Sequence, residues 1–501
     1  MHATVWQRIR AARSGRRTGR LWIASAALAA TLSVTFATPA PASPGQSTIF
    51  DLGGFALNVS PQERTDLLNQ TQALGTDTVR ALVFWRNIAP SPTSSSKPQF
   101  DAADPAAYPA DNWTPLDDLV RGAQARGMNV LLTPTAPMPD WASGGGGDSR
   151  FANPSADEFQ KFVTALGIRY SGSYLPPAGP LDPTPTTLPR VDDWSVWNEP
   201  NIELFLIPQF KGRKSVSGRI YRGLFLAAQN GLQNSGHGGD ALLIGETSPG
   251  PGRKGTDPIS FLRGVFCLNR KFKRKGGCAP IRATGWAQHP YNPFDPPFKT
   301  SHGLIDLHTI GKLAKALRKA RRATSGTLPI YVTEYGVESV PDRIGVSQLR
   351  QAEFIGIAEY LMYRNRRIRS FGQYLMDDDP GGPEFSFQTG LRFAGGAPKI
   401  SYSAFPITLA LQRKSRRDRT VTVWGHARPA DGSVPVTVKS RQPGKGPRTL
   451  RQIRTNQAGY FRFNTPFRRG RKYQATAEIP ATAGSPARTL QGPFERVYIF
   501  K

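Results

Sequence analysis

The stretch PLDDLVRGAQARGMNVLLTP (115–134) carries the pattern that decides the fold. Residues 115–127 have apolar side chains at helical spacing and end in a glycine, which is typical of a helix and its C-terminus. Residues 128–134 form a short apolar run, which is typical of a buried strand. A helix that leads directly into a buried strand is part of a βαβ unit, so this stretch predicts a parallel sheet covered by helices.

The same alternation extends in both directions along the chain. Apolar runs predict a first strand near 48–59 and seven more at 76–84, 128–134, 191–198, 241–247, 283–289, 328–334 and 370–376. Helical spacing predicts further helices at 156–172, 217–236, 304–320 and 347–365. This α/β pattern predicts a closed (β/α)8 barrel, the TIM barrel. An open doubly wound sheet is the alternative, although no glycine-rich phosphate loop follows the first strand.

The N-terminal segment differs from this central pattern. Residues 1–42 hold six arginines before any acidic residue, then an apolar run over 21–36 and the sequence Ala40-Pro41-Ala42. These features are typical of a secretory signal peptide and predict a secreted, extracellular protein. An uncleaved membrane anchor is the alternative. We see no other long apolar run, so we expect no integral membrane segment in the mature chain and assign the barrel to 43–410.

The C-terminal segment, residues 411–501, alternates apolar and polar side chains in short runs separated by Gly, Pro and Asn. This period predicts a small antiparallel β-sandwich. Residues 413–501 hold 20 Lys/Arg against 4 Asp/Glu, a large share of the formal net charge of +29. A basic domain favours an anionic partner such as a cell-envelope polymer, with nucleic acid less favoured, and a basic composition without any partner is the alternative.

Two cysteines, Cys267 and Cys278, lie eleven positions apart. A close pair in an exported protein predicts a disulfide. A zinc site is disfavoured because no histidine lies nearby at ligand spacing.

Three predicted strands end in a carboxylate: Glu199 in WSVWNEPN, Glu246 in LLIGET and Glu334 in IYVTEYG. The active site of a parallel barrel lies at the carboxyl ends of its strands. Two carboxylates about 5 Å apart across a glycosidic bond hydrolyse it with retention, because one protonates the leaving oxygen and the other attacks the anomeric carbon. Glu246 on the neighbouring strand is more typical of a structural acid.

The segment Trp197-Asn198-Glu199-Pro200-Asn201 resembles the WNEPN signature of glycoside hydrolase clan A, which includes cellulase-like family 5 and xylosidase-like family 39. The resemblance covers roughly 45–408 and pairs this motif with the strand-ending TEYG at 333–336. It implies that Glu199 is the general acid/base and Glu334 the nucleophile of a hydrolase that cleaves O-glycosidic bonds, of β configuration, in a polysaccharide or oligosaccharide. It implies no cofactor and no metal.

The resemblance also implies roles for neighbouring residues. Arg80 in TVRALVFW matches the arginine that orders the nucleophile and, we expect, keeps it ionised. His289 and Tyr291 match the motif on strand six, and Asn198 matches the asparagine that binds the sugar 2-hydroxyl. The sequence departs from the clan at strand eight, where FGQYLMDDD offers Tyr374 or Met376 in place of the usual tryptophan platform.

Aromatic side chains at strand ends are candidates for stacking on sugar rings. Trp141 in APMPDWA is the one we favour, ahead of Trp85 and Trp286. We expect the long inserts at 88–114, 171–190 and 248–282 to determine which substrate binds. The rival hypothesis is a catalytically inactive protein that binds a carbohydrate or an anionic surface through its basic C-terminal domain.

Overall fold

The computed structural model describes residues 45–144, 150–179, 182–252, 254–292, 297–298, 303–324, 326–381, 387–429, 432–481 and 486–500. The predicted signal peptide at 1–42 lies outside these residues.

Eight parallel strands follow one another around the first sheet in chain order. They are β1 (Ser47–Asp51), β2 (Thr78–Phe84), β3 (Asn129–Thr135), β4 (Asp193–Ser195), β5 (Ala241–Thr247), β6 (Gly285–Gln288), β7 (Ile330–Val332) and β8 (Ser370–Tyr374). β8 pairs with β1, with Ser370 opposite Ser47. The ring closes between β7 and β8, where Ile330 N–H donates to the Arg367 carbonyl at 2.8 Å. The predicted (β/α)8 barrel is confirmed.

Helices surround this barrel. The main ones are α1 (Pro61–Ala73), α2 (Ala110–Ala125), α3 (Ala156–Arg169), α4 (Ser217–Asn234), α5 (Pro258–Val265), α6 (Ile310–Ala320), α7 (Gln348–Arg364) and α8 (Ile400–Ala404). α1 begins at a capping box in which Glu63 N–H donates to the Ser60 hydroxyl and Ser60 N–H donates to the Glu63 carboxylate. Among the described helices, none combines the length and apolar composition needed to cross a bilayer.

The barrel interior is filled by side chains from several strands. Ile49, Leu131, Leu243, Ala287 and Tyr331 form one buried cluster there. Such layers make the barrel a packed core rather than a pore, so a ligand must bind at its end. A ligand site is therefore expected at the carboxyl ends of the strands.

The C-terminal domain is a sandwich of two four-stranded sheets. Its strands are β9 (Ile407–Arg413), β10 (Thr420–Ala427), β11 (Pro435–Arg441), β12 (Arg448–Arg454), β13 (Tyr460–Pro466), β14 (Lys472–Ile479), β15 (Arg488–Gln491) and β16 (Tyr498–Ile499). One sheet has the order β13-β10-β9-β16 and the other β12-β11-β14-β15. The boundary that the sequence places at 410 falls inside β9, a strand whose residues are all buried except Arg413.

The sandwich packs against helix α7 of the barrel. Tyr360 and Tyr363 on this helix contact Trp424 with ring centroids 5.1 and 5.2 Å apart. Beside these rings, buried Glu359 accepts hydrogen bonds from His426 at 2.7 Å and from Arg428. A buried carboxylate with two cationic or polar partners fixes the orientation of the two domains.

The predicted disulfide between Cys267 and Cys278 is present, with Cα atoms 6.3 Å apart. Both cysteines lie in the connection from α5 to β6. Connections from helix to strand lie at the amino ends of barrel strands, so the disulfide closes a loop on the face opposite the candidate site.

Candidate active site

The carboxyl ends of β4 and β7 bring two glutamates together. Glu199 lies four residues beyond β4, and Glu334 lies two residues beyond β7. One oxygen of each carboxyl group and one ring nitrogen of His289 all lie within 4.8 Å of one another. Both glutamates line a cavity of about 550 Å³. A volume of this size is typical of a small-molecule site.

An unusual backbone turns Glu199 into this cavity. Trp197 and Glu199 have positive φ angles of 62° and 38°. Each such non-glycine residue costs about 1–3 kcal/mol, which its surroundings must offset. Here Trp197 N–H donates to Pro134 at 3.0 Å, Asn198 N–H to the Thr135 hydroxyl at 2.9 Å and Glu199 N–H to the Glu246 carbonyl at 2.9 Å.

Arg80 on β2 lies beneath the glutamates and is fully buried. Its guanidinium donates to Glu334 at 2.5 Å, to Asn198 Oδ1 at 2.8 Å, to Glu246 at 3.1 Å and to Asp51. Burial opposes the charge of Arg80, but these carboxylates outweigh it and raise the pKa of the guanidinium. Arg80 is therefore a fixed positive charge that orients both Asn198 and Glu334.

His289, which follows β6, links three carboxyl groups. Its Nδ1 lies 3.1 Å from Glu199 and 3.4 Å from Glu334, and its Nε2 lies 2.7 Å from Glu246. Burial would lower the pKa of His289, but the charge of Glu334 and the hydrogen bonds to Glu199 and Glu246 raise it to about 10. The ring is therefore an imidazolium at neutral pH.

Glu246 supports the site from below. Burial would raise the pKa of Glu246, but the charge of Arg80 and the hydrogen bond from His289 lower it to about 2. The Thr333 hydroxyl also donates to its carboxylate at 2.7 Å. Glu246 is 0% exposed and is absent from the cavity lining. Its contacts agree with the structural role that the sequence favours.

Burial and charge act in opposite directions on the ionisation of Glu334. Desolvation raises the pKa of Glu334 to about 7, against the charges of His289 and Arg80, which lower it. The carboxylates of Asp51 and Glu199 add to the increase. The direction of the Arg80 effect agrees with the sequence-based expectation, and desolvation is the larger effect.

Aromatic residues form a second wall beside Glu334. The Tyr291 hydroxyl donates to Glu334 at 3.1 Å. The ring of Tyr291 contacts those of Tyr374 at 6.3 Å and Phe387 at 6.4 Å. Tyr374 thus occupies the strand-eight position named by the sequence and lines the cavity, whereas Met376 is buried with 2% exposure.

Trp141 does not line the cavity, in contrast to the sequence-based prediction. Its ring is 9% exposed and packs against Trp85 and Phe100, with centroids 5.9 and 5.7 Å away. Its indole N–H donates to the Pro90 carbonyl at 3.1 Å. These contacts hold Trp141 in the core, away from the residues that line the cavity. Trp85 and Trp286 are likewise fully buried.

Comparison with solved structures supports the architecture. A family 39 glycoside hydrolase from Bacteroides cellulosilyticus WH2 aligns with 86% of this chain and 80% of its own length, at 14% identity and a TM-score of 0.50. The chain shares its fold with glycoside hydrolases of clan A. No protein-family model matches the sequence, and no curated protein sequence matches it either.

Other solved enzymes align less closely with this clan A fold. A family 30 endoxylanase from Clostridium papyrosolvens C71 covers 87% of this chain and 97% of its own length, at 10% identity and a TM-score of 0.44. A β-glucuronidase from Bacteroides uniformis covers 91% of this chain, at 11% identity and a TM-score of 0.44. The chain spans about half, 46%, of the length of that β-glucuronidase.

Sequence reasoning missed two acidic residues of this site. Asp51 ends β1 and pairs with Arg80, so it is a fourth strand-ending carboxylate that the same rule would have found. Glu338 lines the cavity four residues beyond Glu334 and accepts a hydrogen bond from Gln388 N–H at 2.6 Å. It follows no predicted strand directly, so the sequence holds no signal for it.

The cluster of Glu199, His289 and Glu334 has the donor types of a metal site. Both ring nitrogens of His289 are already engaged by carboxylates, with Nδ1 3.1 Å from Glu199 and Nε2 2.7 Å from Glu246, so each is placed to donate a proton. A protonated nitrogen has no lone pair to offer a metal ion. The arrangement is suited to holding protons between carboxyl groups.

Proposed function

We propose that this protein is a secreted retaining glycoside hydrolase that cleaves a β-O-glycosidic bond by double displacement. The observation that carries the proposal is the short separation of Glu199 and Glu334. One oxygen of the Glu199 carboxyl group lies within 4.8 Å of one oxygen of the Glu334 carboxyl group. Retaining enzymes hold their two carboxyl groups about 5–5.5 Å apart, whereas inverting enzymes need about 6.5–9.5 Å to admit a water molecule.

The charges of the site support one shared proton on this glutamate pair. Arg80 and His289 are cations that offset two carboxylates, while Asp51, Glu246 and the glutamate pair supply four acidic groups. A proton on the pair reduces the repulsion between neighbouring carboxylates. The productive form carries this proton on Glu199 and leaves Glu334 ionised.

In the first step Glu199 protonates the glycosidic oxygen, and Glu334 attacks the anomeric carbon as the bond to that oxygen breaks. The aglycone leaves as an alcohol and a glycosyl ester forms on Glu334. The Tyr291 hydroxyl and Arg80 hold Glu334 in place for this attack. Asn198 lines the cavity with its Oδ1 fixed by Arg80, so its amide can face the sugar hydroxyl next to the reacting carbon.

In the second step water replaces the aglycone. Glu199, now ionised, accepts a proton from this water as it attacks the anomeric carbon, and Glu334 leaves as a carboxylate. The negative charge on Glu334 favours the protonated form of Glu199 before the first step. Formation of the ester removes that charge and favours the ionised form of Glu199, which can then accept a proton from water.

The test is hydrolysis of aryl β-glycosides of glucose, xylose, mannose, galactose and glucuronic acid by the purified protein. The anomer formed first is identified by proton NMR, and retention is the expected outcome. Glu334→Gln and Glu199→Gln should each remain folded and lose at least about a hundredfold in rate. Glu203→Gln is the control, because Glu203 lies in the same loop as Glu199 but does not line the cavity.

An inverted first product would reject the double displacement, and near-normal turnover by Glu334→Gln would reject the assignment of the nucleophile. A folded protein that hydrolyses none of these compounds would favour the rival binding function.

Secretion rests on the sequence of residues 1–42 alone. N-terminal sequencing of protein recovered from the culture medium should begin near residue 43. Protein found only inside the cell, with its N-terminus intact, would contradict this part of the proposal.

A further inference from the structure

The cavity that holds Glu199 and Glu334 opens through an apolar rim, which we define as Leu204, Ile344 and Phe387. Their exposed fractions are 63%, 53% and 46%, and all three line the cavity. Leu204 lies in the connection after β4, Ile344 in that after β7 and Phe387 in that after β8. The rim therefore comes from three separate loops at the end of the barrel that carries the carboxylates.

Apolar exposure is concentrated on these same loops. Ile207 and Phe210 after β4 and Val340 after β7 also rank among the exposed large hydrophobic residues. Scattered exposed apolar residues need no explanation, but a contiguous group around a cavity marks a surface that binds a ligand. The rim is thus part of the site rather than chance exposure.

The cavity wall behind the rim is apolar as well. It includes Phe205 after β4, Pro249 after β5, and Val346 and Phe354 at the entrance to and within α7. Polar side chains also line the cavity, and besides Glu199 and Glu334 the charged ones are Glu338 and Arg350 in the loop and helix that follow β7.

Aliphatic side chains cannot form hydrogen bonds with sugar hydroxyls, and a buried hydroxyl without a partner is destabilised relative to water. A second or third sugar ring would place several hydroxyls against Leu204, Ile344 and Val346. A hydrocarbon group in the same position would instead leave water and cover the rim, which is favourable for both surfaces.

We propose that the substrate is a glycoside whose aglycone is a hydrocarbon chain, and that the apolar rim and the wall behind it bind this chain. The proposal rests on the glycoside hydrolase function proposed above and names its substrate class. Glu199 protonates the glycosidic oxygen, the bond from that oxygen to the anomeric carbon breaks, and the aglycone departs as a long-chain alcohol. Water then releases the sugar from Glu334.

The experiment compares methyl, butyl and octyl β-glycosides of each sugar at concentrations below micelle formation. These alcohols are similar leaving groups, so differences in kcat/KM report binding of the chain. One buried methylene contributes about a fourfold gain, so burial of three should favour the octyl over the methyl glycoside by roughly 60-fold. Leu204→Ser and Ile344→Ser should each reduce this ratio several-fold, because each removes apolar surface that covers the chain.

Leu175→Ser is the matched control. Leu175 is 59% exposed in the connection between α3 and β4, away from the cavity lining, so the ratio should not change. Equal kcat/KM for methyl and octyl glycosides overturns the hydrocarbon-chain proposal while hydrolysis itself stands. An octyl preference that survives both rim substitutions also overturns it.

Failure of the hydrolase function is distinguished by a binding measurement. Titration calorimetry with Glu334→Gln measures the affinity of the same glycosides without turnover. Tighter binding of octyl than of methyl glycosides supports the apolar site even if the wild-type protein hydrolyses none of them. Equal affinities overturn it.

Discussion

Nε2 of His289 lies 2.7 Å from the carboxylate of Glu246, and both side chains are completely buried. Because Glu246 is ionised at any ordinary pH, with a pKa of about 2, it fixes the ring and favours its protonated form. The opposite nitrogen, Nδ1, is thereby directed at Glu199 and Glu334 together. Glu246, which does not line the cavity, thus favours the positive charge of His289 beside Glu199 and Glu334.

The first prediction concerns the basic limb of the pH profile. The productive glutamate pair carries one proton, and burial raises the pKa of Glu334 in this pair to about 7. Above this pH both glutamates are ionised and no proton is left for the glycosidic oxygen, so kcat/KM should fall as pH rises through about 7, by tenfold per unit. Initial rates from pH 4 to 9 at substrate concentrations far below KM measure this limb. A flat profile from pH 6 to pH 9 would contradict the raised pKa.

The second prediction tests whether His289 controls the ionisation of Glu334 or only packs against it. The imidazolium lowers the pKa of Glu334, so the substitution His289→Gln should raise that pKa. The basic limb should then shift to higher pH, with a lower plateau rate. The measurement is the same pH profile for variant and wild type. A lower rate with an unshifted limb would indicate only a structural defect.

The sequence was sufficient for the barrel and for the residues at its strand ends. Residues at strand ends can be identified from the sequence, because a parallel topology places the carboxyl ends of all strands at one edge. This rule identified Glu199, Glu246 and Glu334 as neighbours. Arg80, His289 and Tyr291 came from resemblance, and the structure brings all three into contact with Glu334. Their roles in catalysis stay predictions.

The sequence could not predict which side chains are buried or which loops border the cavity. Trp141 has the same local pattern as a sugar platform, but its packing against Trp85 is a tertiary contact. The insert at 171–190 contributes no residue to the cavity lining, and of the insert at 248–282 only Ser248 and Pro249 line the cavity. The pKa of Glu334 depends on desolvation, for which a linear sequence has no signal.

The third prediction concerns the disulfide between Cys267 and Cys278. It closes a loop of about the length at which a disulfide contributes roughly 3 kcal/mol to stability. The double substitution to serine should lower the melting temperature by a few degrees. Because this loop lies on the face opposite Glu199 and Glu334, kcat/KM should stay within about twofold of wild type, and a large loss of activity in the folded variant would argue against that placement.

The fourth prediction compares two arginines that join the sandwich to helix α7. Arg428 pairs with Glu359 where both side chains are at most 2% exposed, whereas Arg496 pairs with Glu353 at 2.8 Å and is 42% exposed. Arg428→Ala leaves the Glu359 carboxylate buried with only His426 and Thr408 as partners, which should cost about 3–5 kcal/mol. Arg496→Ala, the matched comparison, should cost less, because buried Glu353 keeps its hydrogen bonds from the backbone N–H of residue 496 and from the Tyr498 hydroxyl.

Denaturant unfolding of the two variants and the wild type, followed by tryptophan fluorescence, measures this difference. Trp424, one of the nine tryptophans of the chain, lies in the interface and contributes to this signal. The Glu359 contribution is present above pH 4.5 and is lost as pH falls towards 2, because its pKa in the folded state is depressed to about 2. The gap between the two arginine variants should therefore narrow at low pH. Equal costs for the two substitutions would show that burial at this interface does not control the coupling of the domains.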